Sequence, residues 1–579
     1  MTMLTKWGAA LDRSCPLPEY PRPQLRRESF YNLNGVWDYA VTPSGDEPEV
    51  WDGEIVVPFS PEAPLSGAAR GPAKDEYLHY RRGFTLPEGF QKSRVLLHFG
   101  AVDQIAEVFV NGVSAAKHSG GYWPFSADIT SLLREGENIL RVTVRDNADD
   151  PTFAYGKQRY KRGGMWYTAQ SGIWQTVWLE SVPEVYVKSL RITPEFDEAR
   201  VRIELETALE SSAAITCDVR AADGSFVAGS WAKGGVCIVP LPGFRAWTPD
   251  DPYLYTLDIT CGEDRVESYF AMRKFSYVEL GGRKVFGLNN APLFHNGLLD
   301  QGYYPDGLLT PPSDEAMVND IETMKRCGFN MLRKHIKIEP LRWYYHCDRL
   351  GMIVWQDMVS GGQPYSFLHV SALPTLGKVD LPDQDAKPYG RSGVLSRARF
   401  RREMADTVRL LYNCPCIALW TVFNEGWGQF DALDMANELK KLDPTRFIDH
   451  ASGWQDQGYE EMKSRHVYFR PVKLKNDGRA LALTEYGGYI LAVDGHRWTD
   501  KVFGYRICRD SAALAHDYEK LMLGQVLPHI RKEGLTAAVY TQITDVEEEL
   551  NGLMTYDREV LKIPEETLRE INAALRFDA

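Results

Sequence analysis

The chain has 579 residues, of which 44% are hydrophobic and 25% charged, and its formal net charge is −13. That length is several times an ordinary domain, so a few separate cores are expected. The acidic balance excludes the cationic field that nucleic acid or an anionic membrane would need.

No stretch approaches the ~20 apolar residues of a membrane span, and the opening, with Pro16, Pro18, Pro21 and Pro23, lacks a signal-like apolar core; a cytoplasmic location is expected. The nine cysteines lie far apart, the closest pair being Cys414 and Cys416. They form neither a disulfide framework nor CxxC metal spacing and read as reduced thiols.

From about Asn34 to Glu180, short alternating runs at 95–99, 106–110 and 140–144 are broken by Gly, Pro and Asn. This grammar predicts an antiparallel sandwich over residues 1–184, with a hairpin turn at Asn111-Gly112, where both residues tolerate positive φ. Residues 154–170, with Lys157, Gln158 and Tyr167, form a long polar excursion from it that is able to reach a neighbouring domain. Residues 185–275 repeat the alternation on a smaller scale, at 201–205 and 254–259, and suit an immunoglobulin-like sandwich.

After about Phe275 short apolar strands alternate with amphipathic helices, so residues 276–579 predict a (β/α)8 barrel. Its candidate strands are 292–297, 330–334, 352–356, 417–422, 447–450, 466–468, 481–484 and 538–540. Between the first two, Ser313 can cap a helix that Asp314 and Glu315 begin and Lys325 and Arg326 end, in line with the helix dipole, before Gly328 stops it. Arg399, Arg401 and Arg402, at helical spacing among apolar residues, read as a solvated helix face.

Reactive groups of such a barrel project from the carboxyl ends of strands. The run 417–423 leads into Asn424-Glu425-Gly426-Trp427, and 481–484 into Glu485-Tyr486-Gly487-Gly488, so two glutamates fall at exits on opposing sides of the mouth. Cleaving a glycosidic bond through a covalent intermediate needs one protonated and one ionised carboxyl about 5–5.5 Å apart, which such a pair can supply.

The segment TVFNEGWGQF from Thr421 resembles the acid/base signature of glycoside hydrolase family 2, and TEYGGY from Thr484 resembles its nucleophile strand. YNLNGVWDYAV from Tyr31 and SGIWQTVWLE from Ser171 are similar to the family's jelly-roll sugar-binding sandwich. LLDQGYYPDG from Leu298, RKHIKIEP from Arg333, GMIVWQDM from Gly351 and YTQITDVEEELNGLMTYDRE from Tyr540 resemble segments of its barrel. The resemblance implies Glu425 as general acid/base and Glu485 as nucleophile of a retaining, exo-acting hydrolase. It implies that Asn424 bonds the sugar 2-hydroxyl and that Arg333 keeps the nucleophile ionised. Asp300 and Gln301, read as following the first strand, and Trp355 and Asp357, around the end of the third, are expected to line the sugar pocket. Trp427, Trp454 and Tyr468 are candidate stacking faces.

Departures narrow the substrate. His335 follows Arg333 one position earlier than the family's usual histidine, so it is a candidate rather than an assigned sugar contact. Gln356-Asp357-Met358-Val359 lacks the Glu-x-His that holds magnesium in large β-galactosidases, so no metal and no cofactor is expected. Glu549-Leu550-Asn551-Gly552 replaces the Asn-x-Lys-Gly of β-glucuronidases, and the acidic run from Glu547 to Glu549 would repel a uronate. The leading expectation is a neutral, terminal β-linked sugar of the β-galactoside type on a small glycoside or oligosaccharide. The alternatives are a pentose such as an α-L-arabinoside, a β-glucuronide, or a carbohydrate-binding protein without turnover; the sequence leaves a homo-oligomer open.

Overall fold

The computed structural model describes residues 3–209, 214–376 and 380–578. Alternating side chains between Tyr31 and Val182 build two facing antiparallel sheets. One has six strands in the spatial order Gly53–Val57, Gly35–Thr42, Tyr77–Phe84, Asn138–Arg145, Ile105–Val110, Val113–Ser119; the other has four, Tyr31–Asn32, Val177–Val182, Arg94–Phe99, Phe125–Asp128. Their inward residues, among them Trp37, Leu97, Val108 and Val142, are dry, and removal of this apolar surface from water holds the sheets face to face. The Asn111-Gly112 turn joins Val110 to Val113 with φ of 52° and 82°, as a tight hairpin requires.

A smaller sandwich follows. Val187–Glu195, Arg200–Thr207 and Val236–Pro240 face Phe226–Trp231, Ile215–Arg220, Tyr255–Cys261 and Asp264–Phe270. Cys217, Cys237 and Cys261 pack in its core as small apolar groups, and all nine cysteines of the chain are unpaired.

The C-terminal part is a barrel of eight parallel strands: β1 His295–Asp300, β2 Met331–Lys334, β3 Ile353–Asp357, β4 Ile417–Thr421, β5 Phe447–Asp449, β6 Met462–Val467, β7 Ala480–Gly487 and β8 Leu535–Thr541. Ladders join them in the order 5-4-3-2-1-8-7-6. β5 and β6 meet through side chains instead: Ser464 Oγ lies 2.9 Å from Asp449 Oδ1 and 3.0 Å from the Ala451 carbonyl. The helix Asp314–Arg326 begins where expected, with the Ser313 hydroxyl accepting from Ala316 N. Arg399 departs from the solvated reading, since its guanidinium stacks on Phe153 of the first sandwich at 3.9 Å.

Four strands differ from their sequence reading, with β7 running past Glu485 to Gly487 and β8 starting three residues early at Leu535. Ala291–Pro292 pairs with Arg283–Leu288 in a small antiparallel sheet, because proline cannot donate to a central ladder, and β1 starts at His295. Asp300 is therefore the last residue of β1 and does not follow it. β6 begins at Met462, four residues early: Met462, Ser464 and His466 are buried while Lys463 and Arg465 are partly exposed, an alternation that an apolar-run reading passes over.

The small sheet floors the barrel. Phe286 stacks on Phe447 at 4.2 Å and 16°, lies 5.1 Å from His295, and its backbone N donates to Thr536 Oγ1 at 2.6 Å, all at the amino ends of their strands. Among the described residues no helix is long and apolar enough to cross a membrane. Phe286→Ala should destabilise the barrel by about 3–5 kcal/mol. A denaturant midpoint unchanged from the parent protein would contradict this account of the floor.

Candidate active site

β4 is buried throughout, and the chain leaves it through Val422, Phe423 and Asn424. Glu425 then adopts φ +54° and Gly426 φ +73°, turning the backbone back on itself. A non-glycine residue in the left-handed region is strained by roughly 1–3 kcal/mol, and here Glu425 N, donating to Ser452 O at 2.9 Å, helps hold it. Glu485 lies within β7, two residues before its end, where the pairing with β8 is irregular. The Gly-Gly that follows has a steric cause. A Cβ on Gly487 would meet the Tyr540 ring at 2.2 Å and one on Gly488 the Tyr505 ring at 2.4 Å.

The two glutamates converge. A carboxylate oxygen of each, together with a ring nitrogen of His466, all lie within 4.8 Å of one another. Arg333, fully buried at the end of β2, organises the surroundings with its five N–H groups. Nε and Nη2 donate to the two oxygens of Asp357, each at 3.0 Å. The second Nη2 hydrogen reaches Asn424 Oδ1 at 2.8 Å, and Nη1 donates to Glu485 Oε1 and Thr484 O, both at 3.1 Å. Every donor is satisfied.

Tyr468 donates its hydroxyl to Glu485 Oε2 at 2.8 Å, so both oxygens of that carboxylate receive a donor, which suits an ion. Glu425 has a different setting. Burial pushes its pKa up, with Lys157, His335 and Arg333 opposing, so the protonated form is favoured relative to a free glutamate. His466 Nδ1 lies 2.8 Å from Glu425 Oε1 and its Nε2 lies 3.2 Å from Ser452 Oγ. Burial depresses its pKa to about 3, so it stands between two carboxyl groups as a neutral imidazole. The sequence reading passed over His466; its place two residues before Tyr468 in a strand of alternating polarity was the available signal.

Other expected residues divide. His335 Nδ1 lies 2.8 Å from Asp357 Oδ2, and Asp357, despite burial, is held to about 2 by Arg333 and His335. Trp454 donates to the Glu425 carbonyl at 2.9 Å and sits edge-on to His466. Trp355, by contrast, is core: it is inaccessible, donates to His295 Nδ1 at 3.0 Å and packs on Phe286 in the floor, because its side chain points down the barrel. Asp300 has both oxygens engaged, by Lys334 Nζ at 2.7 Å and Gly302 N at 2.8 Å. Gln301 is buried with Oε1 unpartnered. Trp427 is 4% exposed, and its ring is taken up by Trp166 at 4.9 Å and Tyr155 at 5.8 Å, which leaves no open stacking face.

Those two partners belong to the 154–170 excursion, which does reach the barrel mouth. Tyr155 N and Gly156 N donate to Ser360 O at 3.1 and 3.0 Å. Each glutamate of the acidic run pins the excursion: Glu547 accepts from Thr168 N at 2.8 Å, Glu548 from Gly164 N at 2.9 Å, and Glu549 from the Tyr167 hydroxyl. Lys157, also carried here, is 9% exposed, and its ammonium lies 5.8 Å from the Trp166 ring without a hydrogen bond or ion pair among the described residues. Its charge is the leading influence after burial on both Glu425 and Glu549.

Carboxylate, imidazole and carboxylate is also a donor set for a divalent cation. Arg333 and Tyr468 already occupy both oxygens of Glu485, so a cation there would have to displace them.

Three family patterns match the chain in order. They are "Glycosyl hydrolases family 2, sugar binding domain" over residues 64–183, "Glycosyl hydrolases family 2" over 185–273 and "Glycosyl hydrolases family 2, TIM barrel domain" over 311–473. The chain belongs to glycoside hydrolase family 2. Arg333, Glu425 and His466 fall inside the matched barrel, and Glu485 lies beyond it. Among family members, a β-galactosidase of Thermoanaerobacter pseudethanolicus is 25% identical over 63% of this chain and 47% of its own length. A β-glucuronidase of Paenibacillus borealis is 22% identical over 82% of this chain and 85% of its own. The chain spans about half the length of the curated β-galactosidases it matches. The solved β-glucuronidase of an uncultured Clostridium shares the fold with a TM-score of 0.74 at 18% identity, over 95% of this chain and 98% of that one.

In this family member the Asp357–Arg333 ion pair is also a stability element. Its contribution is complete above the ordinary aspartate pKa of about 3.9 and is lost as pH falls through about 2. Arg333→Met, which strands two buried carboxylates, should lower stability at neutral pH by about 3–5 kcal/mol. Denaturant titration of both proteins measures the difference, and equal midpoints would refute it.

Proposed function

We propose that the chain is a retaining, exo-acting glycoside hydrolase that releases a terminal neutral β-linked sugar of the β-galactoside type by double displacement. The observation that carries this reading is the approach of Glu425 and Glu485 oxygens within 4.8 Å, one carboxyl raised in pKa by burial and the other bonded by Arg333 and Tyr468. Carboxyl groups this close leave no room for an attacking water between them, which favours a covalent intermediate over direct inversion.

Glu425 protonates the departing oxygen as Glu485 attacks the anomeric carbon. The resulting ester removes the negative charge of Glu485, which lowers the proton affinity of Glu425 in time for it to take a proton from the incoming water. Asn424, fixed by Arg333, presents its amide to the sugar 2-hydroxyl, a contact that strengthens as positive charge develops on the ring.

Charge supports a neutral sugar. Arg333, Lys334 and Lys337 are met by Asp300, Glu339, Asp357 and Glu485, so these buried ion pairs leave no surplus cation to offset a uronate. Glu547 and Glu548 no longer contribute to that argument, since they hold the excursion. Two observations favour a uronate instead: the Lys157 ammonium has no ion-pair partner among the described residues, and the relative matched over 85% of its own length is a β-glucuronidase. A panel of nitrophenyl β-galactoside, β-glucuronide and α-L-arabinoside separates the readings, with the galactoside expected to turn over fastest.

Glu485→Ala should lower turnover about 10⁴-fold or more, and a fluorinated glycosyl fluoride should label the peptide spanning 484–489. Label elsewhere would overturn the nucleophile assignment, and no turnover of any glycoside would leave a binding protein. The protonated form of Glu425 is the active one, so the rate should fall as pH rises through its raised pKa. Lys157 lowers that pKa, so Lys157→Met should carry the basic limb to higher pH; an unmoved limb would show that its charge does not reach Glu425.

A further inference from the structure

Outside Glu425 the site opens into a cavity of about 770 Å³ whose walls come from six separate segments. The sandwich excursion contributes Met165 and Trp166, the segment after β3 contributes Tyr365 and Phe367, and later barrel loops contribute Phe469, Phe503 and Tyr505. One wall is a continuous stack running outward from the proposed nucleophile. Tyr468, bonded to Glu485, lies 3.9 Å and 13° from Tyr505, and Tyr505 meets Phe469 edge-on at 5.0 Å and Phe503 at 6.3 Å.

The rim of this cavity is unusually apolar for a surface. Phe367 is 72% exposed, Phe469 73% and Leu376 67%, three large side chains within one lining. Phe469 also holds φ +57°, a strained conformation for an aromatic residue, which keeps it at the rim instead of folding it into the core. Contiguous exposed apolar surface marks a contact site. The position of Glu425 in the inner wall identifies what enters, because the group that its proton releases must depart through this space.

We infer that the leaving-group side of this enzyme is built for a flat, apolar aglycone of aromatic character, and not for a second sugar. This deepens the hydrolase reading above and rests on it. A sugar subsite pairs a stacking face with side chains that bond the hydroxyls. Here the cavity beyond Glu425 and His466 is walled mainly by rings and by Met165, Ala372, Pro374 and Leu376; the hydroxyls in its lining, of Tyr365, Ser371 and Tyr505, are engaged with one another or with Tyr468, and Arg470 is the charged group at its edge. A hydroxylated ring would be desolvated there with few partners, whereas an aryl group would gain contact on both faces.

The test uses thioglycosides, which bind without being cleaved, of whichever sugar the nitrophenyl panel identifies. Inhibition constants for the methyl, phenyl and naphthyl compounds should fall by about tenfold or more from methyl to naphthyl. Phe469→Ala and Phe503→Ala, each outside the reacting groups, should erase most of that gain while changing the methyl compound's constant far less. Equal constants for methyl and naphthyl, an undiminished gain in both variants, or a higher kcat/KM for a disaccharide than for the phenyl glycoside would each overturn the inference. Such results alongside normal turnover would leave the hydrolase reading intact. Absence of turnover on the whole nitrophenyl panel would instead remove the hydrolase reading, and the inference with it.

Discussion

One buried guanidinium sets the geometry on which the site depends. Arg333 donates from β2 to Asp357 on β3, Asn424 beyond β4, and Thr484 and Glu485 on β7, so one planar group ties four strand ends together. Removing a charge of that size from water is expensive, and the arrangement is stable only because all five hydrogens have acceptors, three of them carboxylate oxygens. The cost of leaving any partner unmet is what makes the positions of Asn424 and Glu485 so narrowly determined. Lysine would not substitute, since a single ammonium lacks the flat fork that meets Asp357 with two parallel bonds and still reaches both neighbours.

Around that fixed point the two glutamates acquire opposite character from their settings. Glu485 receives one donor on each oxygen, while Glu425 faces a neutral imidazole and a low-dielectric wall that favours its proton. Their chemical identity is the same, and the difference comes from neighbours. His466 serves this contrast by remaining uncharged: a positive ring beside Glu425 would favour its ionised form and lower its pKa.

The parts of this arrangement that were legible in sequence are those that depend on local order. Asn424-Glu425-Gly426 and Glu485 sit beside uninterrupted apolar strands, and the Asn111-Gly112 turn is a two-residue event. Misreadings arose where a side chain's direction or a distant partner decides the role. Trp355 and Asp357 are two residues apart on β3, yet Trp355 joins the floor with Phe286 and His295, while Asp357 bonds Arg333. Nothing in the local sequence shows which of them a floor residue from another segment will contact. The run Glu547–Glu549 read as a repulsive surface facing the substrate because its partners, Thr168, Gly164 and Tyr167, lie almost four hundred positions away in the chain.

That long-range clamp changes what counts as the active site. The barrel supplies the two converging carboxyl groups, but Lys157, which tempers Glu425, and Trp166, which forms part of the outer wall, arrive from the first sandwich. They are held by backbone amides and one phenol donating to three consecutive glutamates. Trp427 then locks the join from the barrel side by packing its ring against Trp166 and Tyr155. The segment that follows β4 therefore does two things: it presents Glu425 to the cavity, and through Trp427 it seats the element that walls the cavity farther out. The carboxyl pair and the outer cavity are coupled through two residues of chain, from Glu425 to Trp427, so a shift of the excursion would disturb both together.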